Sequence, residues 1–379
     1  MSKLEELIER LCPDGVELFE LGTLEDLSYI RLGRGEVISK QDISHYPGDY
    51  PVYSSSALNN GLFGSYGKYM FDEELITWSV DGGGKLFYRA KHRFSVTNVA
   101  GWIRVIEYER VDIKYLYYSL INSWAKLKFD YVKKAHPSVI RDVYLIPLPP
   151  LEVQQEIVRI LDTFTTLEAE LEAELEARKK QYNFIKNELF SREQLSYQNL
   201  GSLAINKDRM RKPITKELRK PGNYPYYGAS GIVDYVEGYL FEGDYLLVSE
   251  DGANLMARTT PIAFSASGKF WVNNHVHVLE FNNYVERRFV EYYLNMTNLE
   301  RYISTAAQPK LSQENLNRIL IPDYTYERKV RIVAILDHFD TLVNDLSHGL
   351  PAEIAARRKQ YEYYRNKLLT FKEVKHESV

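Results

Sequence analysis

His275 and His277 stand two apart in the stretch NNHVH, a spacing that on a β-strand projects both imidazoles from one face, as paired metal ligands do. No third ligand lies near them in sequence, so hydrogen-bonded sheet positions are the favoured reading. The run SVDGGGK, Ser79 to Lys85, offers backbone amides able to cradle a phosphate, with a plain tight turn as the alternative. PDYTYERK, Pro322 to Lys329, holds Pro-Asp and Glu-x-Lys, pieces of a metal-dependent nuclease, but the interval is too short for two adjacent strands. Cys12 stands in CPDG with no histidine beside it, which argues against a nucleophile. Neither G-x-G-x-x-G nor G-x-x-x-x-G-K-[ST] occurs, and PLPP (147–150) lacks the amide and the aromatic residue of a base-amino methyltransferase loop. The residue types point away from chemistry performed by this chain itself.

What must position such residues is a duplication. YPVYSSS (Tyr50 to Ser56) is answered by YPYYGAS (Tyr224 to Ser230), 174 positions on. FDEELITWSVDGG (from Phe71) is answered by FEGDYLLVSEDGA (from Phe241), FSVTNV (from Phe94) by FWVNNH (from Phe270), and VDIKYLYYSL (from Val111) by VERRFVEYYL (from Val285). IVRILDTF (from Ile157) then matches IVAILDHF (from Ile332), and ARKKQYNFIKNEL (from Ala177) matches ARRKQYEYYRNKL (from Ala356). Order and spacing persist, so the chain is one module written twice, with a period too long for a solenoid. Each copy begins with short β-rich runs broken by Gly, Pro, Asn and Ser, then an amphipathic helix near 112–128 or 286–304. Prolines in IPLPP (146–150) and at Pro322 stop one element before a long helix begins. The expected architecture is α+β: a globular domain over 1–150, a long helix over 151–193, a second globular domain over 194–322 and a second long helix over 323–379.

The first long helix carries a near-heptad stripe at Ile157, Ile160, Phe164, Leu167, Leu171, Leu175, Arg178, Tyr182, Ile185 and Leu189. The second carries Ile332, Ile335, Phe339, Leu342, Leu346, Leu350, Ile354, Arg357, Tyr361, Tyr364 and Leu368, with one extra step of four near HGLP (348–351). Gly349 and Pro351 are expected to kink or break that helix. Two unpartnered stripes in one chain pair most simply with each other, as an antiparallel coiled coil relating the copies by a pseudo-twofold axis. A coil across a homodimer is the competing reading.

Composition narrows the class further. The 379 residues, 45% of them hydrophobic, suffice for two packed domains, and a single cysteine excludes both an internal disulfide framework and a four-cysteine zinc site, so a reducing, cytoplasmic setting is expected. The start MSKLEELIERL is charged where a signal peptide is apolar, and no apolar run reaches the length of a membrane span. Net charge is −4, yet charge is segregated: residues 152–176 hold acids against Arg159 alone, whereas NKDRMRKPITKELRK (206–220), KLFYRAKHR (85–93) and KLKFDYVKKAHPSVIR (126–141) are basic. The 30 tyrosines suit both core packing and a recognition surface.

Along essentially its whole length the chain resembles the specificity subunit of type I restriction-modification systems. The resemblance rests on LCPDGVE (11–17), YPVYSSS, YPYYGASG, SEDGAN (249–254), NNHVHVL (273–279), QPKL (308–311), IPLPPLEVQQEIVRILD (146–162) and ARRKQYEYYRNKLL (356–369), duplicated and in order. The copies depart where HPSV (136–139) stands for QPKL and SSS for GAS, as two different half-sites require. The resemblance implies two target recognition domains, each reading half of a split DNA sequence, with paired helices as spacer. It implies modification (methyltransferase) subunits, two of them on quasi-equivalent surfaces, and restriction subunits as partners. S-adenosylmethionine, ATP and Mg²⁺ then belong to those partners, with no cofactor in this chain. The rival class is a small restriction or DNA-methylation enzyme with its own active site.

About forty helical residues span roughly 60 Å, more than one turn of B-DNA, so the expected target is two short segments flanking an unread gap of roughly five to eight base pairs. Basic clusters are expected to hold phosphates. Base-reading candidates on loops are Tyr53, Ser54, Ser55, Lys85, Asn98, Lys133, Lys134 and His136 in the first copy. In the second they are Tyr227, Ser230, Glu250, Asn254, Arg258, Lys269, Gln308 and Lys310. Each loop residue also has a turn-stabilising reading.

Overall fold

The computed structural model describes residues 2–56, 58–81, 83–127, 129, 134–191, 196–304 and 308–374. The chain forms two units, Met1–Glu172 with Ile354–Val379, and Ala173–Glu353. Unit 1 contains β1 (Leu18–Glu20), β2 (Ile30–Arg34), β3 (Tyr50–Tyr53), β4 (Leu62–Tyr66), β5 (Phe71–Ser79), β6 (Leu86–Val96), β7 (Ala100–Val105) and β8 (Leu145–Pro147). Unit 2 contains β9 (Tyr197–Asn199), β10 (Ile205–Asn206), β11 (Pro221–Gly228), β12 (Gly231–Val236), β13 (Phe241–Ser249), β14 (Ala263–Val272), β15 (Val276–Glu280) and β16 (Leu320–Pro322).

The duplication in sequence is a duplication in topology. One six-stranded sheet runs β2-β7-β5-β6-β3-β4, the other β10-β15-β13-β14-β11-β12, and β1-β8 and β16-β9 form matching two-stranded ladders. The repeated tyrosine phrases lie on β3 and β11, each joined in parallel to the end of a long antiparallel strand: Tyr53 faces Val96 and Tyr227 faces Val272. β5 and β13 are central strands whose last five residues are all buried, so burial there does not alternate, and Thr77, Ser79 and Ser249 are buried among the apolar residues. In unit 1 one sheet face packs Ile76, Trp78 and Ile103 against Leu116 and Leu120 of the helix Ile113–Trp124, while Phe71, Phe94 and Val96 form a separate cluster. Unit 2 repeats this with Leu246, Val248 and Leu279 against Phe289 and Val290 of the helix Tyr284–Met296. Asp112 and Asn283 start these helices by accepting backbone amides in their first turns, worth about 1 kcal/mol each.

A long helix, Leu151–Phe190, contributes its first part to unit 1 and its second to unit 2. In unit 1 Asp162 on this helix accepts from Lys114 Nζ (2.5 Å) and Tyr118 Oη (2.6 Å). In unit 2 Asp337, on the helix Tyr326–Asn344, accepts from Arg288 Nε (2.9 Å) and Tyr292 Oη (2.6 Å), the same joint with arginine for lysine. Helix pairing occurs within each unit: Phe164 stacks on Tyr364 of the helix Leu350–Leu368 in unit 1, and Tyr182 stacks on Phe339 in unit 2. Leu171, Ile185, Leu189, Leu342, Tyr361 and Leu368 are likewise half-buried.

Three stripe positions differ from expectation, two by rotation of a helix face and one at a helix break. Leu167 is 40% exposed, and Glu168 takes its place along the stripe because Arg358 Nε donates to it at 2.5 Å. Ile335 is 39% exposed while Leu336 is fully buried, because the 326–344 helix also packs against the 284–296 helix and its apolar face rotates accordingly. Ile160, half-buried, packs with Val153 and Ile157. The second helical stretch breaks after Asn344. A Cβ on Gly349 would lie 2.4 Å from the Thr341 carbonyl, and Pro351 falls in the first turn of the following helix, where its missing N–H is harmless. Leu346 lies in the break, exposed. No described helix is long and apolar enough to cross a membrane.

Candidate nucleic-acid interface

In unit 1 the β3–β4, β5–β6 and β6–β7 connections and the segment ending at His136 meet at one end of the six-stranded sheet. Thr97 N donates to Tyr53 O (2.8 Å) and Thr97 Oγ1 to Ser54 Oγ (2.9 Å), Ser79 Oγ donates to Ser55 O (2.8 Å), Val80 N to Val99 O (3.1 Å) and Ala135 N to Val80 O (3.1 Å). Unit 2 repeats these ties: Asn273 N to Tyr227 O (3.1 Å), Ser249 Oγ to Ala229 O, Glu250 N to His275 O (2.9 Å) and Leu311 N to Glu250 O (2.7 Å). The loops thus share a scaffold and differ in side chains.

Most candidates lie at these ends. Tyr53, Ser54, Ser55, Asn98, Lys134 and His136 are gathered there in unit 1, with Asn98 O accepting from Arg34, Lys134 Nζ 2.9 Å from Asp81, and His136 starting the helix Pro137–Val143. Lys85 joins them through Ser79 N, which donates to its carbonyl. Lys133 lies outside the described residues. In unit 2 Tyr227, Ser230, Glu250, Gln308 and Lys310 occupy the matching end, Lys310 Nζ lying 3.1 Å from Glu250. Three candidates are placed elsewhere or used internally. Asn254 accepts from Thr259 Oγ1 and Thr260 N, pinning its own turn. Arg258 donates to the carbonyls of Leu294 and Thr297 at the end of the 284–296 helix, and burial pulls its pKa down. Lys269 pairs with Glu242, seven strand positions, about 23 Å, from Ser249. The ties also correct the match of HPSV with QPKL: Ala135 corresponds to Leu311, so His136 stands opposite Ser312, each starting a short helix.

His277 sits on β15, buried, with Nδ1 2.6 Å from Asp208 Oδ2 and Nε2 2.8 Å from Leu311 O. Both ring nitrogens face oxygen atoms, a carboxylate on one side and a carbonyl on the other. Asp208, Glu250 and His277 bring their ligand atoms within 4.8 Å of one another, the one such trio among the described residues. Arg211 Nη1, however, donates to Glu250 at 2.6 Å, and Nη2 lies 3.4 Å from Asp208. A guanidinium therefore already fills the cation's place. Burial pushes the Asp208 carboxyl up, but the His277 hydrogen bond and charge and the Val278 amide overcome this and hold it below the usual carboxylate range. Glu250 is held low in the same way, against burial, by Arg211, His277 and Lys310. His275 lies just before β15 with Nδ1 2.8 Å from Asp251 Oδ2.

Unit 1 solves the same packing problem differently. Opposite Gly101 of β7, Trp78 of β5 sends its indole N–H to Ala135 O at 2.8 Å, where unit 2 pairs Val248 with His277 and sends an imidazole N–H to Leu311 O. Sequence reasoning placed Arg211 and Arg89 in phosphate-holding basic runs. Both are internal: Arg211 by its carboxylates, Arg89 at 2% exposure beneath the β3–β4 loop. For Arg89 the strand period gave no signal: alternation puts it on the face of exposed Lys91, and a register shift in the β5–β6 ladder beside it is what separates the two. Cys12 is buried in an apolar cluster with Leu4 and Leu7, and burial pushes its thiol pKa up.

The two duplicated units thus carry loops with different side chains on a common frame, an architecture shared with a known family of DNA-specificity proteins. Residues 15–177 and 197–356 each match the type I restriction modification DNA specificity domain. The chain belongs to the type I restriction-modification DNA specificity family. A Mycoplasma pneumoniae type I specificity subunit is 28% identical over 363 residues, covering 91% of this chain and 96% of that protein. The Escherichia coli EcoR124I/EcoR124II specificity subunit is 31% identical over 256 residues, 59% of this chain and 61% of that one. A Haemophilus influenzae type I restriction enzyme specificity subunit is 38% identical over 185 residues, and the match spans about half of each chain, 48% in both. The crystal structure of a type I S subunit from M. genitalium shares the fold, with a TM-score of 0.64 at 18% identity over 94% of this chain and 96% of that one.

Proposed function

We propose that this chain is the non-catalytic DNA-reading subunit of a type I restriction-modification complex, recognising a bipartite sequence with one loop cluster from each unit. The observation that carries the reading is the repeated set of loop ties at the ends of two sheets of identical order, combined with different side chains on the loops they hold. A common frame with divergent contacts suits two different half-sites. On this reading two modification subunits and the restriction subunits dock on the chain, bring S-adenosylmethionine, ATP and Mg²⁺, and do the chemistry, and the complex works in the cytoplasm. Two short methylated segments separated by a fixed unread gap are the expected target.

The test reconstitutes the full chain with its modification subunits and maps methylated adenines on genomic DNA. A single split motif supports the reading, and an unsplit motif refutes it. The rival class, an enzyme with its own active site, is supported instead if the purified chain alone transfers label from an adenosyl donor to DNA. Affinity for duplex DNA is expected to fall by roughly 10³ or more between 50 and 200 mM salt if six or more phosphates are contacted.

A further inference from the structure

Arg89 is a buried cation with no counter-ion among the described residues. Its Nε donates to Thr77 Oγ1 (3.0 Å) and its Nη2 to the carbonyl of Asn60 (2.9 Å), and the guanidinium lies 3.6 Å over the Tyr53 ring. Nη1 is fully buried with no hydrogen-bond partner, and no carboxylate pairs with the group, among the described residues. Burial pulls its pKa down to about 10, so it stays charged at neutral pH. An arrangement this costly calls for a reason.

The fold does not supply that reason. β6 reaches Arg89 three residues after Leu86, the partner of Trp78, and places it opposite Leu75. The matching step along β14, three residues after Ala263, reaches Ala266, opposite Tyr245. There the second unit closes the same space with Leu247 and Phe264 beside Tyr227. Arg89 instead ties Tyr53, the counterpart of Tyr227, to Asn60 in the longer β3–β4 connection that has no equivalent between β11 and β12. Asn59 and Asn60 are held at φ +46° and +52°, in a left-handed region that costs a non-glycine residue energy, so this loop needs a clamp to keep its shape. Gly61 closes onto the clamp, a Cβ there lying 3.2 Å from Nη2.

We infer that Arg89 is a positioning residue for DNA specificity, presetting Tyr53 and the β3–β4 loop so that unit 1 discriminates its own DNA segment, with no part in reading by unit 2. This rests on the bipartite reading above. The guanidinium fork is required as well as the charge, because a lysine ammonium cannot hold Thr77, Asn60 and the ring face together.

The test uses the full chain with its modification subunits on duplex libraries in which either half of the motif is randomised while the other is kept. Arg89→Met and Arg89→Lys are expected to lower discrimination at one half-site by about tenfold or more, the scale of a lost base contact, and to leave the other half-site unchanged. Thr77→Val, which removes one anchor and keeps the stack, shifts the same half-site less and serves if Arg89→Met fails to fold. A purely structural role would weaken binding to all sequences alike, which overturns the inference, as does full discrimination in Arg89→Lys. If the wild-type complex shows no split preference, the functional reading itself fails and the inference with it.

Discussion

Replacing Arg211 by methionine tests whether the loop end of unit 2 is held by charge. Arg211 donates to Glu250 (2.6 Å) and to the Val276 carbonyl (2.7 Å), and its side chain is 14% exposed. Its removal leaves Glu250, 11% exposed, with Lys310 at 3.1 Å and His277 at 3.9 Å, and leaves Asp208 with His277 and the Val278 amide. Breaking a buried pair by removing one partner costs about 3–5 kcal/mol, and the surviving partners put the expected loss near the lower end, about 3 kcal/mol. Hydrogen exchange is the suitable assay, because it reads each unit separately. Amides of β13 and β15 and that of Leu311, which donates to Glu250 O, are expected to exchange about 100-fold faster, with unit 1 amides unaltered. The double variant Arg211→Met with Glu250→Gln leaves one fewer uncompensated charge and should recover part of the loss. A loss under about 1 kcal/mol, or a double variant no better than the single, would refute the argument that the guanidinium organises this cluster.

Gly101→Ala would set a Cβ 2.2 Å from the Trp78 ring and displace the indole from Ala135 O, so urea unfolding of unit 1 is expected to weaken by about 2–4 kcal/mol. Asp162→Asn should loosen unit 1 and Asp337→Asn unit 2, each by about 1–2 kcal/mol and neither affecting the other's exchange rates, because each carboxylate serves a joint inside its own unit. Acid should destabilise unit 2 through Asp208 and Glu250. Both have folded pKa values below the ordinary ones, so their stabilisation is full above the unfolded values of about 4 and is lost as pH falls through the folded ones. Exchange of unit 2 amides followed from pH 6 to pH 3 checks this, and a flat profile would count against it.

The duplication was legible because identical spacing of Gly, Pro and aromatic residues imposes identical strand order, and the heptad stripe showed the long helices for a similar reason. Single seam residues were not legible. Whether Leu167 or Glu168 faces inward depends on Arg358, which is remote in sequence, and the choice of Leu336 over Ile335 depends on a second helix packed alongside. The basic runs misled for a related reason. Arg89 and Arg211 look like surface cations in a linear string, and only tertiary pairing with Tyr53 or with Glu250 shows that they are interior. His277 shows both sides: its strand position followed from local pattern, its partners Asp208 and Leu311 from long-range folding.

The exchange of Trp78 with Gly101 for Val248 with His277 limits how the two halves can trade genetic material. A crossover that imported β5 alone would drive an indole into an imidazole. The reciprocal product would set a valine against a glycine, leaving a void and a carbonyl with no donor. Viable recombinants between copies must therefore inherit β5 through β7, or β13 through β15, as one block.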